Sequence, residues 1–289
     1  MNFFQRQTLE TYDYMHRTVT DERLLLSLHW RYAKQWLCED VLAIEAEYFR
    51  DRRVLDAGCG IGRWTIPFLQ LGAHVTAVDY SQAALTKLRH AAASLVPEAL
   101  REGRLRMLTA NLLELPLSGR HYDVVFSFGV LHHTGNTLEA LRNIASVMRA
   151  NGVLFLYLYG GSGASRWKSL VRRIIQLALS PLPIASKERL FKVICPRKDS
   201  RGLIDGCSPT IFQSYALTVV ECWLREFGYS GVTLTIPEEL GHGLQIRASG
   251  SSCSAAPYFR VPRTQPPYWC EDPPGESRDR RHDRMGETA

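Results

Sequence analysis

Three glycines, Gly58, Gly60 and Gly62, follow directly on the apolar pair Val54-Leu55 and precede a helix-period stretch from Arg63 to Leu71. A buried strand that breaks into such a turn and then a helix lets backbone N–H groups and the helix N-terminus approach a ligand closely, because no side chains stand in the way. The next apolar run, His74 to Asp79, ends on a carboxylate 21 positions after Gly58. In doubly wound folds that spacing sets an acidic side chain on a ribose hydroxyl pair. The absence of Gly-Lys-Ser/Thr behind the glycines excludes a phosphate-binding P-loop of the NTPase type. A ribose-bearing ligand is what this pattern demands.

The same alternation continues along the chain. Ser81 is a good N-cap for an alanine- and leucine-rich helix, Arg104 to Thr109 reads as a third strand, and Tyr122 to Phe128 as a fourth. Thr137 caps a predicted helix to about Ala150, and Asn151-Gly152 is expected to turn the chain into a strand from Val153 to Tyr159. A helix over Thr218 to Phe227 and strands at Gly231 to Ile236 and Gly243 to Arg247 close the pattern. The last two strands are separated by too few residues for a helical crossover and should pair antiparallel. The predicted fold is α/β: a doubly wound, Rossmann-like sheet, mostly parallel with one antiparallel strand near its C-terminal end, and helices on both faces.

Around that core the sequence divides into a helical N-terminal extension (1–50), the cofactor-binding core (51–160), a basic helical insertion or lid (161–208), the C-terminal part of the core (209–247) and a tail (248–289). The tail is rich in Ser, Gly and Pro and reads as disordered. In the extension, Leu24, Leu25, Leu28, Tyr32, Trp36, Val41 and Leu42 recur at helical spacing, which predicts two helices. No apolar run approaches the roughly 18–20 residues of a membrane span, since the longest is Val153 to Tyr159. The opening residues lack the apolar stretch of a signal peptide, so the expected location is cytoplasmic. Seven scattered cysteines without a C-x-x-C pair argue against a disulfide framework, and no metal site is expected.

VLDAGCGIG, VTAVDYS, NLLELPL and YDVVFSFGVLHHT, in this order, resemble the successive motifs of class I S-adenosylmethionine-dependent methyltransferases, and within them the ubiquinone/menaquinone-type small-molecule branch. The resemblance covers about residues 50–160. It implies S-adenosylmethionine as cofactor, with Gly58 and Gly60 against its methionine part, Asp56 steadying the loop and reaching the amino group, and Asp79 holding both ribose hydroxyls. Tyr80 would pack on the adenine, beside Leu112 and Asn111. Asn111 stands where the family usually has Asp, and its amide carbonyl can accept the same bond. Phe128 would sit beside the sulfonium. The implied activity is methyl transfer to oxygen or carbon of a small-molecule or lipid-linked acceptor.

Displacement at a sulfonium needs alignment more than a nucleophilic side chain. If the acceptor is a hydroxyl or an acidic carbon a base helps, and His132 and His133, just past the fourth strand, are the candidates. The Asn/Asp-Pro-Pro-aromatic sequence of nucleobase amino methyltransferases is missing there; Ser127-Phe-Gly-Val130 stands in its place. Between Gly160 and Arg201 ten basic residues face two acidic ones, while the rest of the chain is slightly acidic. Within that segment Trp167, Leu170, Val171, Ile174, Ile175 and Ala178 form an amphipathic pattern. One reading is a lid whose apolar face closes on the core. Others are attachment to an anionic membrane surface or a lipid-linked substrate, which would make the protein peripheral to the membrane, and an RNA-facing patch, although nucleic acid is not the expected partner. The competing functional classes are a non-catalytic cofactor-fold module that binds a partner or membrane through its basic helices, an RNA methyltransferase, and aminopropyl transfer on the same fold.

Overall fold

The computed structural model describes residues 2–18, 33–160, 166–195, 200–238 and 243–262, with side chains not described at 166–169 and 201–202. Seven strands form one sheet in the order β3-β2-β1-β4-β5-β7-β6: β1 (Arg53–Ala57), β2 (His74–Asp79), β3 (Leu105–Thr109), β4 (Tyr122–Phe128), β5 (Met148–Leu158), β6 (Gly231–Ile236) and β7 (Leu244–Ser249). All neighbours run parallel except β7, which is antiparallel to both β5 and β6. The antiparallel strand foreseen near the C-terminus is therefore β7. The chain reverses between β1 and β4, so their carboxyl ends open a crevice at the topological switch point, where such sheets bind ligands.

Helices α2 (Thr65–Gln70), α3 (Gln82–Leu95) and α4 (Pro97–Arg101) lie between the first three strands, and α5 (Thr137–Ser146) and α9 (Leu217–Glu226) follow β4 and precede β6. Ser81 caps α3 as expected, its hydroxyl accepting from Ala84 N at 3.1 Å. The cap of α5 is Asn136, not Thr137; Thr137 instead directs its hydroxyl to Leu131 O and Gln213. The turn expected at Asn151-Gly152 is strand: β5 begins at Met148, five residues early, and its register against β4 shifts between Tyr122 and Val124. A Cβ on Gly152 would meet Asp123 O at 2.9 Å, so this glycine serves close strand approach, not reversal.

In the N-terminal extension, α1 (Phe3–Arg17) carries a capping box from Asn2 and Gln5. Leu24, Leu25, Leu28 and Tyr32 lie outside the described residues, and the chain resumes in a short helical turn that widens into a π-turn at Leu37–Val41. The insertion contains α6 (Arg166–Leu179), α7 (Ile184–Ile194) and α8 (Ser200–Cys207). Ser180 to Pro183 separate the first two of these, since Pro181 cannot continue α6.

The tail departs from the loose segment expected. Residues 250–262 return along the sheet, where Ala255 and Cys253 are buried and Phe259 bridges to Ile44. The Arg247 guanidinium stacks 3.8 Å from the Phe259 ring centroid while donating to Leu42 O and Ala43 O. One buried cation thus ties β7, the N-terminal extension and the tail together. Residues 263–289 lie outside the described residues.

Candidate functional site

Behind β1 the chain turns through Gly58 (φ +83°), Gly60 (+54°) and Gly62 (+93°), backbone that side chains resist. A Cβ on Gly58 would drive into the Val130 side chain, so this turn can pass under the β4 loop only as glycine. Asp79, at the end of β2, accepts from Gly60 N through Oδ2 and from Ser81 N through Oδ1, both at 2.8 Å. Each oxygen keeps a lone pair for a further donor. The carboxylate is thereby aimed along the crevice and held between the glycine loop and α3.

A cavity of about 340 Å³ opens here. One side is formed by Gly58, Gly60, Asp79, Tyr80, Asn111, Leu112 and Phe128, so all but one of the cofactor residues expected from sequence share one space. Tyr80 is partly exposed at the rim, and the Asn111 side-chain carbonyl accepts from Leu113 N at 3.0 Å, capping a 3-10 turn beside the cavity. The exception is Asp56, which lies beneath the loop, fully buried, accepting the Thr65 hydroxyl at 2.6 Å. Burial first, and then the nearby Asp79, push its carboxyl up to about 7, against the lowering effect of the Thr65 bond.

That shift has a measurable sign. A carboxyl whose folded value lies above its ordinary one of roughly 4 stabilises the fold at low pH and loses that contribution as pH rises toward 7. The expected result is that urea unfolding of the parent, compared with Asp56→Asn, shows stability falling by up to about 1.4 kcal/mol per pH unit between pH 4 and 7. Parallel stability profiles for the two proteins would contradict it.

The opposite wall comes from α1, which sequence reading placed only in a helical extension. Gln5, Thr8, Leu9, Tyr12 and His16 recur on one helix face and line the cavity. The helix is pinned over it by the insertion and by α3: Tyr14 donates to Glu188 at 2.6 Å, Thr8 Oγ1 accepts from Thr210 N and Ile211 N, and the Ser81 hydroxyl donates to Asp13 at 2.6 Å. The stripe at i, i+3, i+4, i+7 and i+11 is readable in the sequence, but its mixture of polar and apolar residues gave no sign of which surface it covers.

The two candidate bases separate. His133 lines the cavity; its Nδ1 lies 2.7 Å from Ile211 O and its Nε2 2.8 Å from the Tyr12 hydroxyl. A carbonyl only accepts, so Nδ1 carries the hydrogen and Nε2 accepts from Tyr12. Burial holds His133 down to about 4, leaving a neutral imidazole at neutral pH. Asp205, whose half-buried carboxyl is raised by burial, stands near the Tyr12 hydroxyl. His132 does not line the cavity: fully buried, it packs between the rings of His133 and Tyr159 at 4.2 and 4.1 Å, and neither ring nitrogen finds a partner among the described residues. Its position shapes the wall behind His133.

Arg63 and Trp64 also line the cavity and were not singled out in the sequence. The Arg63 guanidinium stacks on Trp64 at 4.9 Å, its Nε is buried without a hydrogen-bond partner among the described residues, and burial lowers it to about 10. A buried guanidinium with a free N–H edge among the described residues suits an anionic group on the ligand. A glycine loop without side chains, a carboxylate with spare lone pairs, an aromatic rim and a guanidinium together fit a nucleoside carrying an amino-acid carboxylate.

Residues 55–154 match the family model described as a methyltransferase domain. A Mycobacterium tuberculosis protein named "Probable S-adenosylmethionine-dependent methyltransferase" is 34% identical over 36% of this chain and 35% of its own. The ubiquinone biosynthesis O-methyltransferase of Parvibaculum lavamentivorans is 30% identical over 37% of this chain and 40% of its own. The chain thus spans little more than a third of the length of these curated relatives. In fold it is similar to an O-methyltransferase family protein from Burkholderia thailandensis, with a TM-score of 0.51 at 14% identity, covering 77% of this chain and 57% of that one. Residues 55–154 are thus similar to S-adenosylmethionine-dependent methyltransferases, and the cavity they help to line suits that cofactor.

Proposed function

We propose that the protein transfers a methyl group to oxygen or carbon of a small-molecule or lipid-linked acceptor, with Tyr12 and His133 taking the acceptor's proton. Bound S-adenosylmethionine supplies an electrophilic methyl group on a sulfonium. Gly58 and Gly60 admit the methionine part, Asp79 holds the ribose, Tyr80, Asn111 and Leu112 receive the adenine, Asp56 steadies the loop, and Phe128 flanks the reacting end. The observation that carries the reading is the 2.8 Å bond from Tyr12 to His133 Nε2 inside the cofactor cavity. An acceptor hydroxyl placed against Tyr12 can pass its proton to the phenol oxygen as the phenol gives its own to His133, so that the positive charge given up by the sulfonium is taken up by the imidazole.

Shielding by α1 supports catalysis over mere binding. His16 lies over Gly60, and Gln5 and Tyr12 line the same cavity, so α1 would limit the access of water to the space where acceptor and donor would meet. The test is incubation with S-adenosylmethionine labelled in its methyl group and a panel of quinols, phenols, carboxylic acids and their prenylated forms. Label should appear in one class of acceptor. Failure of every acceptor with a protein that binds the cofactor would favour the non-catalytic reading.

A further inference from the structure

We propose that the outer face of α6, with the exposed N-terminal end of α1 beside it, docks the protein on an anionic lipid bilayer. Of the readings the sequence pattern allows, a lid helix would close its apolar side on the core, and the structure turns that side outward. Leu170, Ile174 and Leu177 are 51%, 57% and 44% exposed, whereas Gln176, on the opposite face, is 2% exposed. The inward contacts are those of the basic face: Arg173 donates to Thr210 O, and the Arg172 guanidinium lies 4.5 Å from the Phe212 ring centroid. An amphipathic helix mounted with its apolar stripe toward water is an interfacial element lacking its second phase.

Charge selects the occupant. Helix α6 carries Arg166, Lys168, Arg172 and Arg173 and no acidic residue, and exposed Arg189 and Lys192 follow on α7. The apolar surface continues onto α1, where Phe4 lies 5.9 Å from the Arg173 guanidinium and Phe3 a like distance from that of Arg6, both rings substantially exposed. Leucine, isoleucine and phenylalanine rimmed by arginine fit an anionic headgroup layer over acyl chains. They do not fit a second copy of this chain, because a two-fold contact would set the basic rims against each other. Since α1 also walls the cavity, docking by this face would bring the bilayer beside the acceptor site. The inference concerns the surface alone and stands whatever the acceptor is.

The full chain should co-sediment with vesicles of phosphatidylcholine and phosphatidylglycerol at low salt, several-fold less with pure phosphatidylcholine, and less again at high salt. Ile174→Glu with Leu177→Glu, both exposed and remote from the cavity, should reduce sedimentation at least tenfold while leaving S-adenosylhomocysteine affinity unchanged. Parent protein that stays in the supernatant at low salt, or a double variant that sediments as well as the parent, would overturn the proposal. So would a parent dimer in sedimentation velocity that the double variant converts to monomer, since the face would then be a self-interface. Because cofactor affinity is measured without lipid, loss of docking is distinguishable from failure of the methyltransferase reading.

Discussion

Replacing His133 by alanine should lower turnover by about 10²–10⁴-fold while leaving affinity for S-adenosylhomocysteine within about twofold, the span over which a positioned base contributes. The proposed cofactor contacts lie at the ends of β1, β2 and β4 and in the loop after β3, and His133 is held apart from them by Ile211 O and Tyr12. Tyr12→Phe should retain His133 in place through the Ile211 bond yet also lose turnover, because the phenol no longer relays the proton. His132→Phe should fall far short of either loss, since that ring does not line the cavity. With an acceptor from the labelling panel in hand, rates across the three variants decide the matter. Equal losses in His132→Phe and His133→Ala would mean that the pair only shapes the wall.

Gly58→Ala should abolish cofactor binding, with affinity falling more than a hundredfold. The backbone at φ +83° costs an L-residue about 1–2 kcal/mol, and the new methyl meets the Val130 side chain, where overpacking adds about 1–3 kcal/mol. Relief requires the loop to lift from Val130 or Val130 to move into the cavity, and either displaces the surface against which the ligand must lie. Gly103→Ala is the matching control: its φ is +67°, but nothing lies within 4 Å of the added carbon. It should cost only the conformational part and leave binding intact. Calorimetry and urea melts on the two variants separate the terms; equal affinities would remove the glycine loop from the account.

Much of this was legible in the sequence because it is local. Strands β2, β3, β4 and β6 begin and end within a residue of the runs that announce them, and the Gly58-to-Asp79 spacing corresponds to two groups that line one cavity. Asn151-Gly152 misled because glycine serves both turns and close strand approach, and only the neighbouring Asp123 carbonyl distinguishes the two uses. Periodicity showed that α6 is amphipathic but cannot say which face looks inward; that is set by Thr210 and Phe212, some forty residues away. Tyr12 escaped notice for the same reason. Its chemistry exists only because the fold carries α1 across more than a hundred residues of intervening chain to His133. Arg247, which ties the tail to the extension, looks in sequence like any strand arginine.

The central claim is that the crevice at the carboxyl ends of β1 and β2, closed by α1, holds S-adenosylmethionine through Asp79. Calorimetric titration of the full chain with S-adenosylmethionine and S-adenosylhomocysteine, repeated on Asp79→Ala, addresses it directly. The account predicts one site per chain for both ligands, and loss of at least a hundredfold in affinity in the variant, about 3 kcal/mol for two charge-assisted bonds to the ribose. Folded parent protein that binds neither ligand, or a variant that binds both as tightly as the parent, would contradict it.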